Sequence, residues 1–395
     1  MSKNLILHIT PHLSGGLGGV LLSTIKYFNK KNFSFLHEII VLDKRQIPDK
    51  IKKEFLKFSK FIHIGKGKEF IKKKIHSADI VQVEYWNHPQ IYEFLINFNF
   101  SSRLVLCCHI NGFSRPQIIT KNAVNFADIF LSTTKATGKH PLFISRKNIQ
   151  RAKKLKFVRF PVDIKKIRKI TPKMHNEFNI SYIGSLDYSK LHKDFLKMSD
   201  AINLPKKNII ICGVGSDKSK IEQQSNKYNK TKFQFKGFVE NIKIILDITD
   251  VFGYPLNKNH YGSGEQSIIE AMYSKIPVVA FANCAEKEII QNHKTGMLVK
   301  NKSEYVKAIK YLYQNPKRRK EIGINAHNYI LKNLIPAVSF ANLEGIYKNL
   351  MTSKKTLKKF KTSYSYKSNK KNFGSKLFIE SLGNNNKDFL KSYKY

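Results

Sequence analysis

Residues 261–283, YGSGEQSIIEAMYSKIPVVAFAN, place a glycine-broken polar loop, a helix-length segment and an all-apolar strand in immediate succession. A loop that enters a helix through bare glycines lets a phosphate or a sugar approach the backbone N–H groups. Ser263 and Gln266 have the spacing of a capping box, which predicts a helix start at Ser263 and puts Glu265 in the first turn, where the helix dipole already favours a carboxylate. Glu270 stands among Ile268, Ile269, Ala271 and Met272, and a carboxylate in apolar surroundings is costly unless it is paired or hydrogen-bonded. Ribose hydroxyls, an internal arginine or a backbone donor would each satisfy it.

The runs on either side of this stretch decide the fold class. NISYIGS (179–185), NIIICGV (208–214), FQFKGFV (233–239), DVFGYPL (250–256) and IPVVAFA (276–282) are nearly continuous apolar strands separated by helix-length segments. NLILHIT (4–10), HEIIVLD (37–43), FIHIG (61–65), DIVQVEY (79–85), RLVLCCHI (103–110) and ADIFLST (127–133) repeat the pattern in the first half. Such strands predict parallel sheets covered on both faces, hence two α/β domains. A linker is expected over 157–176, where two prolines flank a basic run, with a cleft between the domains. The expected divisions are an N-terminal domain over 1–170, a second over 171–335, a helix over 336–351 and a basic, mobile tail over 352–395, in which KLFIESL could form one short helix.

The 395 residues are enough for two cores. Cys107, Cys108, Cys212 and Cys284 show neither C-x-x-C nor Cys/His ligand spacing, so they read as buried thiols in a reducing compartment. The apolar run in MSKNLILHIT is too short for a signal peptide, and no stretch approaches the roughly 20 apolar residues of a spanning helix. The chain is expected in the cytoplasm. A formal net charge of +43 draws nucleic acid, anionic lipid or anionic small molecules, although a Lys/Asn/Ile-rich genome would produce the same surplus. No nucleic-acid module signature occurs, and nucleic acid is not an expected partner. The tail contributes +10 of that charge, and KKTLKKFK (354–361) combines lysines with Leu357 and Phe360 as apolar footholds for an anionic membrane surface.

Two further motifs carry phosphate chemistry. In TPHLSGGLGGVLL, Gly15, Gly16, Gly18 and Gly19 precede a helix expected from Val20, a phosphate-binding turn or merely a flexible one. Asp43 lies where a dinucleotide fold places its ribose carboxylate, but Leu21 occupies the third glycine position and weakens a NAD reading. In YIGSLDYSKLH, Lys190 follows Gly184 by six residues, placed to neutralise a diphosphate leaving group or to remain a solvated surface lysine.

Taken in order, SGGLGG, FPVD (160–163), GSLDYSK and GEQSIIEAMYSKIPVVAF resemble the motif series of retaining nucleotide-sugar glycosyltransferases of family 4, over residues 5 to about 350. The resemblance implies the GT-B arrangement: two facing Rossmann-like domains with parallel sheets, and a C-terminal helix crossing back. It implies metal-independent transfer with retention from a nucleotide sugar to a glycan or lipid-linked acceptor, in cell-surface polysaccharide or glycolipid synthesis, with no cofactor beyond the donor. Such an acceptor is plausible at the inner membrane face, where the charge of +43 leads us to expect peripheral attachment through the tail and the basic face of the N-terminal domain. His109, in CCHINGF, Lys190 and Glu265 are the catalytic candidates. Gly15, Gly16, Gly184, Lys190, Gly262, Gly264 and Glu270 are the donor-binding ones, Glu270 at the ribose, and no metal ligand is expected. Two positions depart from the family pattern: Gly262 stands where the first of two glutamates is expected, and Ser185 replaces an arginine. Glu265 or His260 could substitute for the first, His192 or Lys193 for the second. A sugar-nucleotide epimerase and a catalytically inactive basic membrane- or RNA-binding scaffold stay open as alternatives.

Overall fold

The structure, a computed structural model, describes residues 3–13, 15–29, 33–43, 53–54, 57–144, 149–162, 167, 174–228, 231–360 and 373–381. The chain divides into two compact units, Met1–Phe160 with Pro336–Tyr395, and Pro161–Ile335. Of the linker expected over 157–176, residues 163–166 and 168–173 lie outside the described residues.

Unit 1 holds β1 (Asn4–Thr10), β2 (Phe35–Val41), β3 (Ile62–Ile64), β4 (Ile80–Tyr85), β5 (Phe100–Cys108), the hairpin strands β6 (Phe113–Ser114) and β7 (Gln117–Ile118), β8 (Ile129–Ser132) and β9 (Leu155–Phe157). Its main sheet runs β3-β2-β1-β4-β5-β8-β9, all parallel. Both faces are covered, so β4 is buried along its whole length, including the polar Gln82 and Glu84. Unit 2 holds β10 (Phe178–Ile183), β11 (Lys207–Cys212), β12 (Lys232–Gly237), β13 (Val251–Tyr254), β14 (Val278–Phe281) and β15 (Met297–Val299), in the order β12-β11-β10-β13-β14-β15. In each sheet the winding reverses once, between β1 and β4 and between β10 and β13. The crevice outside the carboxyl ends of the strands at such a reversal is where open α/β sheets bind ligands.

The helix Pro336–Met351 follows unit 2 in sequence and packs on unit 1. Phe340, Leu343, Tyr347 and Leu350 lie on one helical face and join Phe28, Phe35, Ile80 and Val105 in a single core. Two described parts of the expected tail, residues 352–360 and 373–381, pack on unit 1. β16 (Thr356–Lys358) pairs antiparallel with the start of β5, and Lys358 Nζ lies 2.9 Å from Asp128 Oδ2. Phe360 is buried against the rings of Phe126 and Tyr92. A helix, Phe373–Ser381, packs on the helix Pro89–Asn97, and Asn87 Nδ2 donates to Ser381 Oγ at 3.1 Å. Charge alone cannot hold a basic tail to a basic protein; apolar burial and specific carboxylates do. Residues 361–372 and 382–395 lie outside the described residues.

Candidate active site

In unit 2 the loops that follow β10 and β13 meet at the switch point. Asn257 laces them together: its N–H donates to the Lys190 carbonyl at 2.8 Å and its Nδ2 to the Leu191 carbonyl at 2.9 Å. This fixes Lys190, whose Nζ lies 3.3 Å from Glu265 Oε2, with the side chains only 16% and 0% exposed. The Tyr254 hydroxyl donates to the same carboxylate oxygen at 2.6 Å, and the Tyr254 ring lies under the lysine ammonium and stacks on Tyr182. Burial pushes the Glu265 carboxyl up, but Lys190, His260 and the Tyr254 hydroxyl more than offset it and hold it below the usual carboxylate range. Burial pulls Lys190 down, and Glu265 foremost among its neighbours raises it above its ordinary value.

Glu265 is therefore the buried carboxylate of the loop, at 4% exposure, whereas Glu270 is half-buried on the helix Gln266–Tyr273. This reverses the sequence reading, because Ile268, Ile269, Ala271 and Met272 form the buried face and Glu270 sits at its edge. The helix starts at Gln266 rather than at Ser263, with Glu265 itself as the N-cap, in the left-handed region at φ 40°, ψ 53°, and with no capping hydrogen bond from its own side chain. That conformation costs a non-glycine residue about 1–3 kcal/mol and folds the side chain back over the loop. A Cβ built at Gly262 would lie 1.8 Å from Glu265 Oε1, so the Glu265 carboxylate fills the space a side chain at 262 would need.

His260 closes the cluster. Its Nδ1 accepts from the Gly262 N–H at 3.0 Å, and its Nε2 lies 3.0 Å from Oε1 of Glu286, a fully buried carboxylate. Burial lowers the His260 pKa, but Glu286 and Glu265 raise it further, for a net upward shift. Gly184 lies at the carboxyl end of β10, where a Cβ would come within 2.5 Å of the Tyr182 hydroxyl, and Gly264 lies directly before Glu265. His192 packs against Phe281 and burial lowers its pKa; Lys193 is exposed.

In unit 1, Gly15 opens the helix Gly15–Phe28 at φ 65° with open space around it, and Gly16 is exposed. The helix begins five residues before the expected Val20. His109 directly follows β5, and its Nε2 lies 2.6 Å from Glu84 Oε2. Glu84 Oε1 accepts from Gln82 Nε2 at 2.9 Å and lies 2.7 Å from His8 Nδ1; His8 Nε2 lies 2.8 Å from His37 Nδ1. Burial raises the Glu84 pKa, but hydrogen bonds from His109 and His8 more than offset it and bring it to about 2. At the switch point itself His12, Trp86 and His88 cluster, with ring centroids 5.1 Å and 5.5 Å from the indole. Asp43 lies beside them and accepts from Gln90 Nε2 at 3.1 Å. Sequence reading did not single out Glu84, His8, Trp86 or Tyr254; the one available signal was a Gln and a Glu inside the otherwise apolar strand IVQVEY.

Among the described residues, Glu84, Cys107 and His109 form the grouping close enough to hold a metal ion, with ligand atoms within 4.8 Å of one another. They fit one poorly. The Glu84 oxygens are already engaged by two rings and an amide, and burial, then Glu84, push the Cys107 thiol well up, so it stays protonated.

Residues 163–329 match the family described as glycosyl transferases group 1. A candidate glycosyltransferase, EpsD of Bacillus subtilis (strain 168), is 20% identical over 168 residues, which cover 41% of this chain and 43% of that protein. A glycosyltransferase from Rickettsia africae ESF-5 superposes with a TM-score of 0.71 at 16% identity, covering 89% of this chain and 99% of its own. Anabaena HepE, solved in complex with UDP and glucose, superposes at 0.69 with 15% identity, covering 89% and 100%. The chain thus has the α/β GT-B fold, and its second unit matches the glycosyl transferases group 1 domain.

Proposed function

We propose that this chain is a glycosyltransferase that takes a nucleotide-sugar donor in unit 2 and transfers the sugar with retention to a glycan or lipid-linked acceptor. One observation carries the reading: Lys190 and Glu265 form a nearly buried pair at the switch point of the sheet whose domain matches glycosyl transferases group 1. An ammonium held there by a carboxylate is a ready point charge for a diphosphate, which competes for it with two charges against one. Glu265 then hydrogen-bonds sugar hydroxyls from the place of the missing glutamate, and Glu270 serves the ribose. Gly184, Gly262 and Gly264 keep the backbone open to the donor. Lys190 carries the leaving-group charge without a metal, and the acceptor attacks the face the nucleotide leaves. His109 serves the acceptor side in unit 1, and Gly15 and Gly16 offer backbone N–H groups to phosphate.

Thermal shift with UDP, GDP and ADP tests the core of this. HepE was solved with UDP, so UDP is the first ligand to try. One nucleoside diphosphate should raise Tm in the wild type and fail to do so in Lys190→Ala, because a ligand stabilises by its occupancy of the native state. No shift with any of them sinks the reading. The anomeric configuration of the product, followed by NMR from the start of turnover, decides retention, and turnover in EDTA decides metal independence.

No helix among the described residues is long and apolar enough to cross a membrane. The proposed attachment is peripheral, in the cytoplasm, for cell-surface polysaccharide or glycolipid synthesis, and its support is charge. Phe360 is buried and Lys355 and Lys358 pair with Asp79 and Asp128, so Leu357, 72% exposed, is the apolar foothold that remains. Liposome co-sedimentation should require anionic lipid and fall steeply with salt.

A further inference from the structure

Glu84 lies in the middle of the unit 1 sheet, and the function proposed above gives it no task. It is fully buried, and its described hydrogen-bond partners are two histidines, a glutamine and the Cys107 thiol, with no lysine or arginine among them. A buried carboxylate so placed is tolerable only if every group facing it donates. His109 Nε2 and His8 Nδ1 therefore both carry protons toward it, and a neutral His109 keeps its lone pair on Nδ1. Of that pair only the His109 side chain reaches solvent, at 17% exposure against 1% for Glu84. The opposite end is closed: His37 is fully buried, its Nε2 has no partner, and burial, then His8, keep it neutral. Gln82 is itself locked, since the Tyr347 hydroxyl on the helix Pro336–Met351 donates to its Oε1 at 2.6 Å.

We propose that Glu84 is the positioning residue for His109: it fixes the ring orientation and the Nε2–H tautomer, so that Nδ1 is the atom offered at the carboxyl end of β5. Gln82 and Tyr347 hold Glu84 in turn, which makes the helix that returns from unit 2 part of the support of this histidine. The benefit to turnover rests on the proposed role of His109; the contact itself does not.

The test uses the full chain labelled with 15N-histidine, with His109 assigned by loss of its signals in His109→Ala. In the wild type the His109 ring should show a bound Nε2 proton, shifted far downfield, and a bare Nδ1 when neutral. Glu84→Gln should remove the downfield proton, mix the tautomers and lower kcat by about tenfold or more while changing the donor KM by less than about threefold. Tyr347→Phe deletes one hydroxyl, keeps the core packing and should give the same changes in weaker form; it carries the test if Glu84→Gln does not fold. Glu84→Asp, which keeps the charge but shortens the reach, should leave the tautomers mixed. An unchanged His109 spectrum in the folded variant overturns the proposal, and so does a changed spectrum with unchanged kcat at saturating donor and acceptor. If the wild type turns over no nucleotide sugar while the ring signal still responds to Glu84→Gln, the proposed function falls and the positioning contact stands.

Discussion

The two units place comparable chemistry at the carboxyl ends of their strands, yet they satisfy a buried carboxylate in opposite ways. In unit 2 Glu265 is held by a mobile-stemmed ammonium and a phenol, and the lysine remains something an anion can claim. In unit 1 Glu84 is saturated by two imidazoles, an amide and the Cys107 thiol, all rooted in or directly after the sheet's own strands β1, β4 and β5. A lysine reaching in from a loop makes an exchangeable ion pair suited to binding a diphosphate. Imidazoles tied to strands make a fixed array suited to orienting one ring. On the roles proposed above, the same fold would separate charge neutralisation from proton placement.

Removing the exchangeable cation should have the largest effect. Lys190→Ala leaves Glu265 a buried uncompensated charge, a loss of about 3–5 kcal/mol in stability, and should lower kcat/KM by about 10²–10³-fold or more. The double variant Lys190→Met/Glu265→Gln should recover much of the Tm and none of the turnover. Recovery of both would show that the pair only holds the loop together.

Gly262→Ala comes next. Its Cβ would lie 1.8 Å from Glu265 Oε1, so the carboxylate must leave Lys190 or the loop must shift. Overpacking of this kind costs about 1–3 kcal/mol, and the Tm gain from a bound nucleoside diphosphate should shrink with it. A variant with wild-type Tm and ligand response would mean that Glu265 does not hold this place.

The units should also part in their response to acid. In unit 1 burial, foremost, lowers the pKa of His12, His37 and His88, that of His88 to about 4. The unfolded chain takes up these protons first, so stability is full above the unfolded value of 6.5 and is lost as pH falls toward the folded ones. In unit 2 burial lowers His192 in the same sense, but the more deeply buried His260 is raised, so its contribution is full below 6.5 and is lost as pH rises through its folded value. Trp86, the chain's single tryptophan, lies in unit 1 and reports its unfolding directly. Denaturant curves at pH 7.5 and 5.5 should show the Trp86 midpoint falling, while hydrogen exchange in β13 and β14 stays level or slows. Parallel loss in both units would erase the contrast.

The smallest effect belongs to the tail. Leu357→Ala, at an exposed position, should leave Tm within the equivalent of about 0.5 kcal/mol and slightly weaken binding to anionic liposomes. Unaltered binding would leave attraction to lysines alone.

The sequence by itself determined the α/β class and most of the strands, because a strand buried on both faces must be continuously apolar and runs such as NIIIC and IPVVAF admit few alternatives. It also singled out Lys190 and the glycines as candidates, since glycine in a strand-end loop lets an anion approach the backbone, although a flexible turn and a surface lysine fitted the same pattern. Leu155–Phe157 and Met297–Val299 escaped it, since three residues carry no period. So did the ordering of the tail: what holds Phe360 and Lys358 is Phe126, Tyr92 and Asp128, more than 200 residues away in the chain. The same limit governs the sites. Local pattern assigned the buried carboxylate to Glu270 and a dipole role to Glu265, whereas the left-handed turn at Glu265 and the empty space at Gly262 reversed them. Glu84, His8, His109 and Tyr347 lie on four different elements, and what one does to another depends on distances of 2.6 to 2.9 Å set by sheet register and helix packing. Spacing along a chain specifies neighbours on one strand or helix; hydrogen bonds between strands exist only once the sheet has formed.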